Sequence, residues 1–377
     1  MVINPFFISG KIDPRFFCDR ERESQELIRL IDNGNNVVLI SPRRMGKTGL
    51  IHFCYSRPEI EENYFTFFID ILQTSSLREF IFLLGREIFR KLASKGKRMV
   101  TGFVQTLKSL TGKFGYDVSS GLPTFDVRLG DIVEPELTLE EIFRYLANAK
   151  RPCVVAIDEF QQIARYPEKN VEAMLRAHLQ QSTNCSFIFS GSQRHILREM
   201  FLESARPFYN SATIINLEAI PEVKYVEFIE DMFRLMGKEI EAGLAREIYG
   251  MFEGHTFYVQ RVCNEAFSFT PEGGRCDGRK LHDAIENILG SLDTLYREIL
   301  QGLTLKQKEL LYAIAMEKKA RGVTSEGFIR KYALASASSV QSTLRKLMDH
   351  DIVMRKEDTY QVADRFFDLW LREAILS

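Results

Sequence analysis

Four aliphatic residues, Val37-Val-Leu-Ile40, run directly into Ser41-Pro-Arg-Arg-Met-Gly-Lys-Thr48, and a second apolar stretch follows as far as Cys54. No other part of the chain constrains the fold as strongly. A short aliphatic run bounded by turn residues is the pattern of a strand buried on both faces, here Asn36–Ile40. The stretch from Gly46 into Cys54 reads as a helix. Strand, loop and helix in that order open a crossover unit, and crossovers build parallel sheets covered by helices.

The loop has its own chemistry. Backbone N–H groups of the loop and of the first helical turn can face one point together, and the helix dipole adds partial positive charge there. That arrangement suits a polyphosphate. Lys47 is placed to reach the β- and γ-phosphates of a nucleotide, and Thr48 to hold Mg²⁺ through its hydroxyl. Gly46 lets the backbone approach without a Cβ in the way. Ser41, Pro42, Arg43, Arg44, Met45, Gly46, Lys47, Thr48 and Gly49 are therefore the candidate nucleotide contacts. The usual pattern GxxxxGK[ST] begins with Gly, where this chain has Ser41; Ser fits if its φ stays negative. The bland alternative is a basic surface turn.

Val154-Val-Ala-Ile-Asp-Glu159 supplies the matching acids. A buried parallel strand delivers its C-terminal residues to the sheet edge where ligands bind. Asp158 is the expected Mg²⁺ ligand, through water. Glu159 is the expected base for the attacking water. Their alternative role is to cap the next helix. Between the two motifs in the chain lies another strand, Tyr64–Ile71. It matches the arrangement of NTPases that carry an extra strand and a catalytic Glu.

Phe187-Ile-Phe-Ser-Gly-Ser-Gln193 is a further strand ending in small polar residues. Ser192 and Gln193, with Ser190 as another option, are candidates to sense the γ-phosphate; a plain polar turn is the alternative. Arg194, Arg198 and Arg206 follow, and Arg206 in Ala205-Arg-Pro-Phe-Tyr209 is favoured as the arginine that stabilises transition-state charge. Surface arginine is the commoner role for any one of them.

Strands at Cys153–Ile157, Ser186–Ser190 and Thr213–Leu217 complete a parallel α/β sheet, with helices at 20–33, Leu77–Lys91 and Leu139–Ala149. Residues 94–135 are rich in Gly and read as a surface insertion, with Phe114–Val118 and Thr124–Leu129 pairing as a hairpin. From Pro221 to about Leu295 helices dominate. Beyond Leu303, helices at Lys306–Met316, Thr324–Tyr332 and Ser338–His350 precede two short strands, Ile352–Arg355 and Thr359–Val362, which is the winged form of the helix-turn-helix. The expected domains are 1–220 for the P-loop ATPase, 221–298 for a helical lid and 299–377 for the winged helix.

The 377 residues are 45% apolar and 27% charged, ordinary for a soluble protein, and the 29 Phe read as core filling. A net charge of −1 leaves no global signature of nucleic-acid binding. The six Cys and six His lack metal spacing, and a disulfide framework is not expected in so large a chain. No signal peptide is read at the N-terminus, and no apolar stretch is long enough to span a bilayer, so no membrane association and a cytoplasmic location are expected.

Together these residues resemble the archaeal-type ATPases of the STAND branch of AAA+ proteins. The resemblance rests on Phe17-Cys-Asp-Arg-Glu-Arg-Glu23, Pro42-Arg-Arg-Met-Gly-Lys-Thr48, Ala156-Ile-Asp-Glu-Phe160, Phe189-Ser-Gly-Ser192, Gly254-His-Thr-Phe-Tyr258 and Phe366-Phe-Asp-Leu-Trp-Leu371. It covers nearly the whole chain. It implies ATP and Mg²⁺ as cofactors, Asp19-Arg20 near the adenine, residues 221–295 as a lid over the nucleotide, and an ATP-driven switch with a winged-helix tail. Two departures stand out. Thr256 replaces the Pro of the family's Gly-x-Pro, and Pro207-Phe-Tyr-Asn-Ser211 lacks the arginine of Pro-Leu-Tyr-Gly-Arg.

Residues 300–377 contain 13 Lys/Arg against 10 Asp/Glu. That surplus equips the winged helix only weakly for duplex DNA, which is bound largely through phosphate neutralisation. Ser339, Gln341, Ser342, Arg345 and Lys346 are its expected outward groups, for DNA or for a protein. The expected function is Mg²⁺-dependent ATP hydrolysis driving a conformational switch, with room for a homo-oligomer. The alternative is an ATP-binding, DNA-associated regulator with little hydrolysis.

Overall fold

The computed structural model describes residues 3–8 and 13–376, with the side chains of 375 and 376 left aside. The chain divides into two compact units, one of residues 13–220 and one of residues 3–8 with 221–376.

The first unit is built on five strands: β1 (Val37–Ile40), β2 (Phe65–Asp70), β3 (Cys153–Asp158), β4 (Cys185–Gly191) and β5 (Thr213–Asn216). Each lies within one residue of its sequence-derived bounds at either end. They form one parallel sheet in the order β2-β3-β4-β1-β5. All four residues of β1, all six of β3 and all seven of β4 are buried. Side chains alternate between the two faces. Val38, Ile40, Phe67, Phe187 and Phe189 enter one apolar layer, while Val37, Leu39, Val154, Ala156 and Ile188 enter the other. The aliphatic runs are continuous because both faces are covered. Asn36 clips the sheet ahead of β1, accepting from Phe187 N at 2.9 Å and donating to Ser211 O at 3.4 Å.

Two expectations need correction. The extra strand of the expected NTPase arrangement is present, but it is not the one that lies between the phosphate loop and the acidic pair in the chain. β2 is the outer edge, and β4 is inserted between β1 and β3. Residues 94–135 are not a surface appendage either. They contain a helix, Lys97–Thr106, and Val100, Phe103, Leu107, Leu110, Phe114, Val127 and Ile132 join the main core. Positions 100, 103, 107 and 110 keep helix-like spacing that the flanking Gly residues obscured. The hairpin exists but is short, Gly115–Tyr116 against Pro123–Thr124.

The second unit opens with helices Glu222–Leu235, Leu244–Met251, Thr256–Phe269 and Gly278–Gln301. A winged helix follows, with helices Leu305–Glu317, Glu326–Lys331 and Ala337–Asp349 and strands Val353–Lys356 and Thr359–Val362. A third strand, Ala320–Arg321, escaped the sequence reading because it has only two residues. Residues 3–8, expected with the first unit, pack here instead. Asn4 donates to Asn264 O at 2.9 Å, and Phe6 fits among Phe228, Phe233 and Phe267. Of the turns that the sequence suggests at Pro5, Gly10 and Pro14, the one at Gly10 lies outside the described residues.

Candidate functional site

The site forms where β1, β3 and β4 end together. Ser41 closes β1 with a negative φ, so the missing first Gly costs the loop no strain. Two later loop residues do adopt the left-handed region, Arg44 at +68° and Gly46 at +87°. Gly takes such an angle freely, whereas Arg44 is held there at a cost of order 1–3 kcal/mol. Gly46 then caps the helix Lys47–Tyr55, whose first N–H groups have no partner within the helix.

Lys47 is buried, and its ammonium donates to Ser41 Oγ at 3.1 Å and Pro42 O at 3.2 Å. Burial lowers its pKa, against the attraction of Asp158 and Glu159. Thr48 and Asp158 meet directly, the hydroxyl donating to Oδ2 at 2.7 Å. The other Asp158 oxygen accepts from Ser190 Oγ at 2.7 Å and from Glu159 N at 3.0 Å. One carboxylate thus ties the loop helix, β3 and β4 together, and it is only 6% exposed.

Glu159 sits just past β3 at φ +57°. Its Oε2 accepts three hydrogen bonds: from Ser192 N at 3.2 Å, Ser192 Oγ at 2.8 Å and Gln161 Nε2 at 2.5 Å. Ser192, expected at the phosphate, therefore touches the expected base. Gln193 is engaged elsewhere, by Arg165 Nη2 at 3.0 Å.

Arg206 is not gathered into this cluster by any of its contacts. Its guanidinium pairs with Glu172 at 2.6 Å and Glu199 at 3.3 Å, on the helices Val171–Gln181 and Arg194–Leu202. Arg20 is buried and pairs with Glu23 at 2.7 Å, with a second contact to Met45 O at 3.4 Å. Its side chain braces the loop backbone from behind. Arg43 is exposed, Pro42, Arg44 and Gly49 are half-buried, and Met45 is buried.

Two residues at the site were missed. Asp70 ends β2 in register with Asp158. Desolvation, with Asp158 and Glu159 as like-charged neighbours, holds its carboxyl above the usual range. Gln161 is 2% exposed, and its Oε1 has no hydrogen-bond partner. An orphaned buried carbonyl costs about 1–3 kcal/mol. The available signals were an acid closing a strand and a pair of polar residues, Gln161 and Gln162, between Phe160 and Ile163.

The oxygen-only set of Thr48 and Asp158 fits Mg²⁺, a hard cation that takes one or two protein oxygens beside phosphates and water. It needs no protein cage, and among the described residues no cluster of three or more His, Cys, Asp or Glu is built to hold a metal.

Residues 17–262 match the model of an ATPase domain found predominantly in Archaea. The chain belongs to that ATPase family. A second model, described as "Probable winged helix domain", matches residues 294–373. Among solved structures, this ATPase is similar to the Walker-type ATPase of Pyrococcus abyssi, with a TM-score of 0.66 at 21% identity over 98% of this chain and 99% of that one. It is also similar to the ORC2 protein of Aeropyrum pernix, with a TM-score of 0.58 at 15% identity over 95% of each chain. At these identities the likeness speaks for the fold, and the family model for nucleotide binding and ATPase activity. No curated protein sequence matches the chain. No helix among the described residues is long and apolar enough to cross a membrane.

Proposed function

We propose that this ATPase is a Mg²⁺-dependent switch of the STAND branch, in which the state of the nucleotide sets the conformation of the helical segment and winged helix. The bonding of Asp158 to both Thr48 and Ser190 is the observation that carries the reading. It brings an Mg²⁺-competent oxygen pair to the phosphate loop and links that pair to the strand beside it. Lys47 leaves its loop acceptors to bind the β- and γ-phosphates. Thr48 and Asp158 hold Mg²⁺, which when bound offsets phosphate charge. Glu159 takes a proton from the attacking water as its oxygen bonds to the γ-phosphorus, and the β–γ bridging oxygen leaves with the bonding pair. The Aeropyrum ORC2 structure is of ADPNP and ADP complexes, which supports ATP as the ligand here.

The switch half rests on how the second unit is bonded. Glu253, beside Gly254-His-Thr-Phe-Tyr258, pairs with Lys319 at 2.9 Å, Lys356 at 3.5 Å and Arg365 at 3.7 Å, all in the winged-helix part. Phe366 packs on Phe252 and Tyr258 with ring centroids 5.4 and 5.0 Å away. Residues 221–298 and the winged helix therefore respond together. Gln341, Ser342, Arg345 and Lys346 are exposed and Ser339 half-exposed on the helix Ala337–Asp349, which supports a duplex DNA or protein partner. Six buried free cysteines support a cytoplasmic location. The second reading, a DNA-associated regulator with little hydrolysis, is favoured by the engagement of Arg206 with two carboxylates. An arginine from a second copy would complete the site in a homo-oligomer.

The test is ATP turnover with Mg²⁺, with and without duplex DNA, beside two variants. Glu159→Gln should bind ATP and turn it over at least about a hundredfold more slowly. Lys47→Ala should lose ATP binding in a titration. Wild-type turnover in the first variant would move the base elsewhere, and unchanged affinity in the second would remove the phosphate site. Tight binding without turnover in the wild type would favour the regulator.

A further inference from the structure

We infer that Gln161 is the positioning residue for Glu159, holding its carboxylate so that one oxygen is fixed and the other is left for water. The inference rests on Glu159 being the base.

Three observations carry it. First, all three hydrogen bonds to the Glu159 side chain converge on Oε2, two from Ser192 and one from Gln161 Nε2 at 2.5 Å. Ser192, the residue just past β4, fixes the position of that oxygen. Gln161 approaches from the segment following β3, so the two residues grip it from different elements. The carboxylate can no longer rotate freely, and Oε1 is the oxygen that can meet a water.

Second, space has been made for the Gln161 amide. Gly191, the last residue of β4, has no special backbone angle to explain a glycine. A Cβ there would collide with Gln161 Oε1. The absent side chain is what lets the amide lie against the strand end. Gln161 meanwhile keeps an unpartnered buried carbonyl, which an apolar residue of the same volume would avoid. The amide is therefore held there by what its N–H₂ does.

Third, the backbone bearing Gln161 is anchored on both sides. Phe160 packs on Phe189 and Phe208 with ring centroids 4.4 and 5.2 Å away. Gln162 Nε2 donates to Thr74 O at 2.9 Å, and Tyr166 and Thr74 share a hydroxyl contact of 2.5 Å. Such anchoring suits a group that must hold another to a fraction of an ångström.

The experiment compares Mg²⁺-ATP turnover of the full chain with that of Gln161→Met, which keeps the volume and removes the donor. Gly191→Ala serves as an independent variant that displaces the amide. Affinity for a fluorescent ATP analogue and the melting temperature are measured beside kcat and KM. Expected are a kcat lowered about tenfold or more, KM and analogue affinity within about twofold, and no fall in the Gln161→Met melting temperature. Added to Glu159→Gln, Gln161→Met should cost nothing further, because its effect runs through that carboxylate. Losses that multiply in the double variant, or a changed KM with kcat intact, would overturn the inference. If Glu159→Gln abolishes turnover while Gln161→Met and Gly191→Ala turn over normally, the base stands and only the role of Gln161 falls. If Glu159→Gln turns over normally, the base assignment falls and this inference with it.

Discussion

Asp158 gathers donors from three segments, whereas Asp70, one strand away, sits among like charges. Their difference makes a prediction at the scale of single residues. The Asp70 pKa is raised on folding, first by desolvation and then by Asp158 and Glu159. A raised carboxyl pKa costs stability above the folded value and costs nothing below the unfolded one. Asp70→Asn should therefore raise the melting temperature at pH 7, by about 1–2 °C. The gain should disappear below about pH 4, where Asp70 is protonated in both states. A gain independent of pH would point to packing instead of charge. At this scale the sequence was legible in part. Lys47, Thr48, Asp158 and Glu159 were readable because each closes or follows a recognisable element. Ser192 was readable as a polar strand end, but its contact with Glu159 was not. That contact depends on β4 lying beside β3, and strand order is not written in residue spacing. Gln161 was hidden because its role comes from the empty space above Gly191.

The helix Lys97–Thr106 carries the lesson for elements. Glycines at 96, 102 and 112 disguised it, yet Phe103 is fully buried and packs edge-on to Tyr145 at 5.0 Å. Phe103→Ala should cost about 3–5 kcal/mol in urea denaturation. A loss under about 0.5 kcal/mol would return residues 94–135 to the surface. The five strands were legible because burial on both faces leaves uninterrupted aliphatic and aromatic runs. Helices such as Leu77–Ala93 were legible from their apolar periodicity even with Gly85 inside, whereas the bounds of Val171–Gln181 and Arg194–Leu202 were not.

For the whole molecule, Glu253 joins the helical segment to the winged helix from a left-handed backbone position, φ +50°. Burial raises its pKa, but the bond to Lys319 and the charges of Arg365, Lys319 and Lys356 outweigh burial and leave it lowered. A lowered carboxyl pKa contributes stability above the unfolded value, which is lost as pH falls through the folded one. Glu253→Gln at pH 7 should thus speed deuterium uptake in Val353–Lys356 and Thr359–Val362 several-fold, with little change in melting temperature. As pH falls below the lowered carboxyl range the wild type should come to resemble the variant. Equal uptake at pH 7 would mean that the aromatic packing alone joins the two parts.

The helix Gly278–Gln301 has 24 residues and leads from the helical segment into the winged helix. At 1.5 Å per residue it is about 36 Å long. Its last turns are held by the tail, with Asp293 accepting from Trp370 Nε1 at 3.0 Å and Tyr296 packed on Phe367. A rod of that length works as a lever arm. Tilting it by about 10° at its first turn would carry its far end about 6 Å, a displacement about the size of a helical turn.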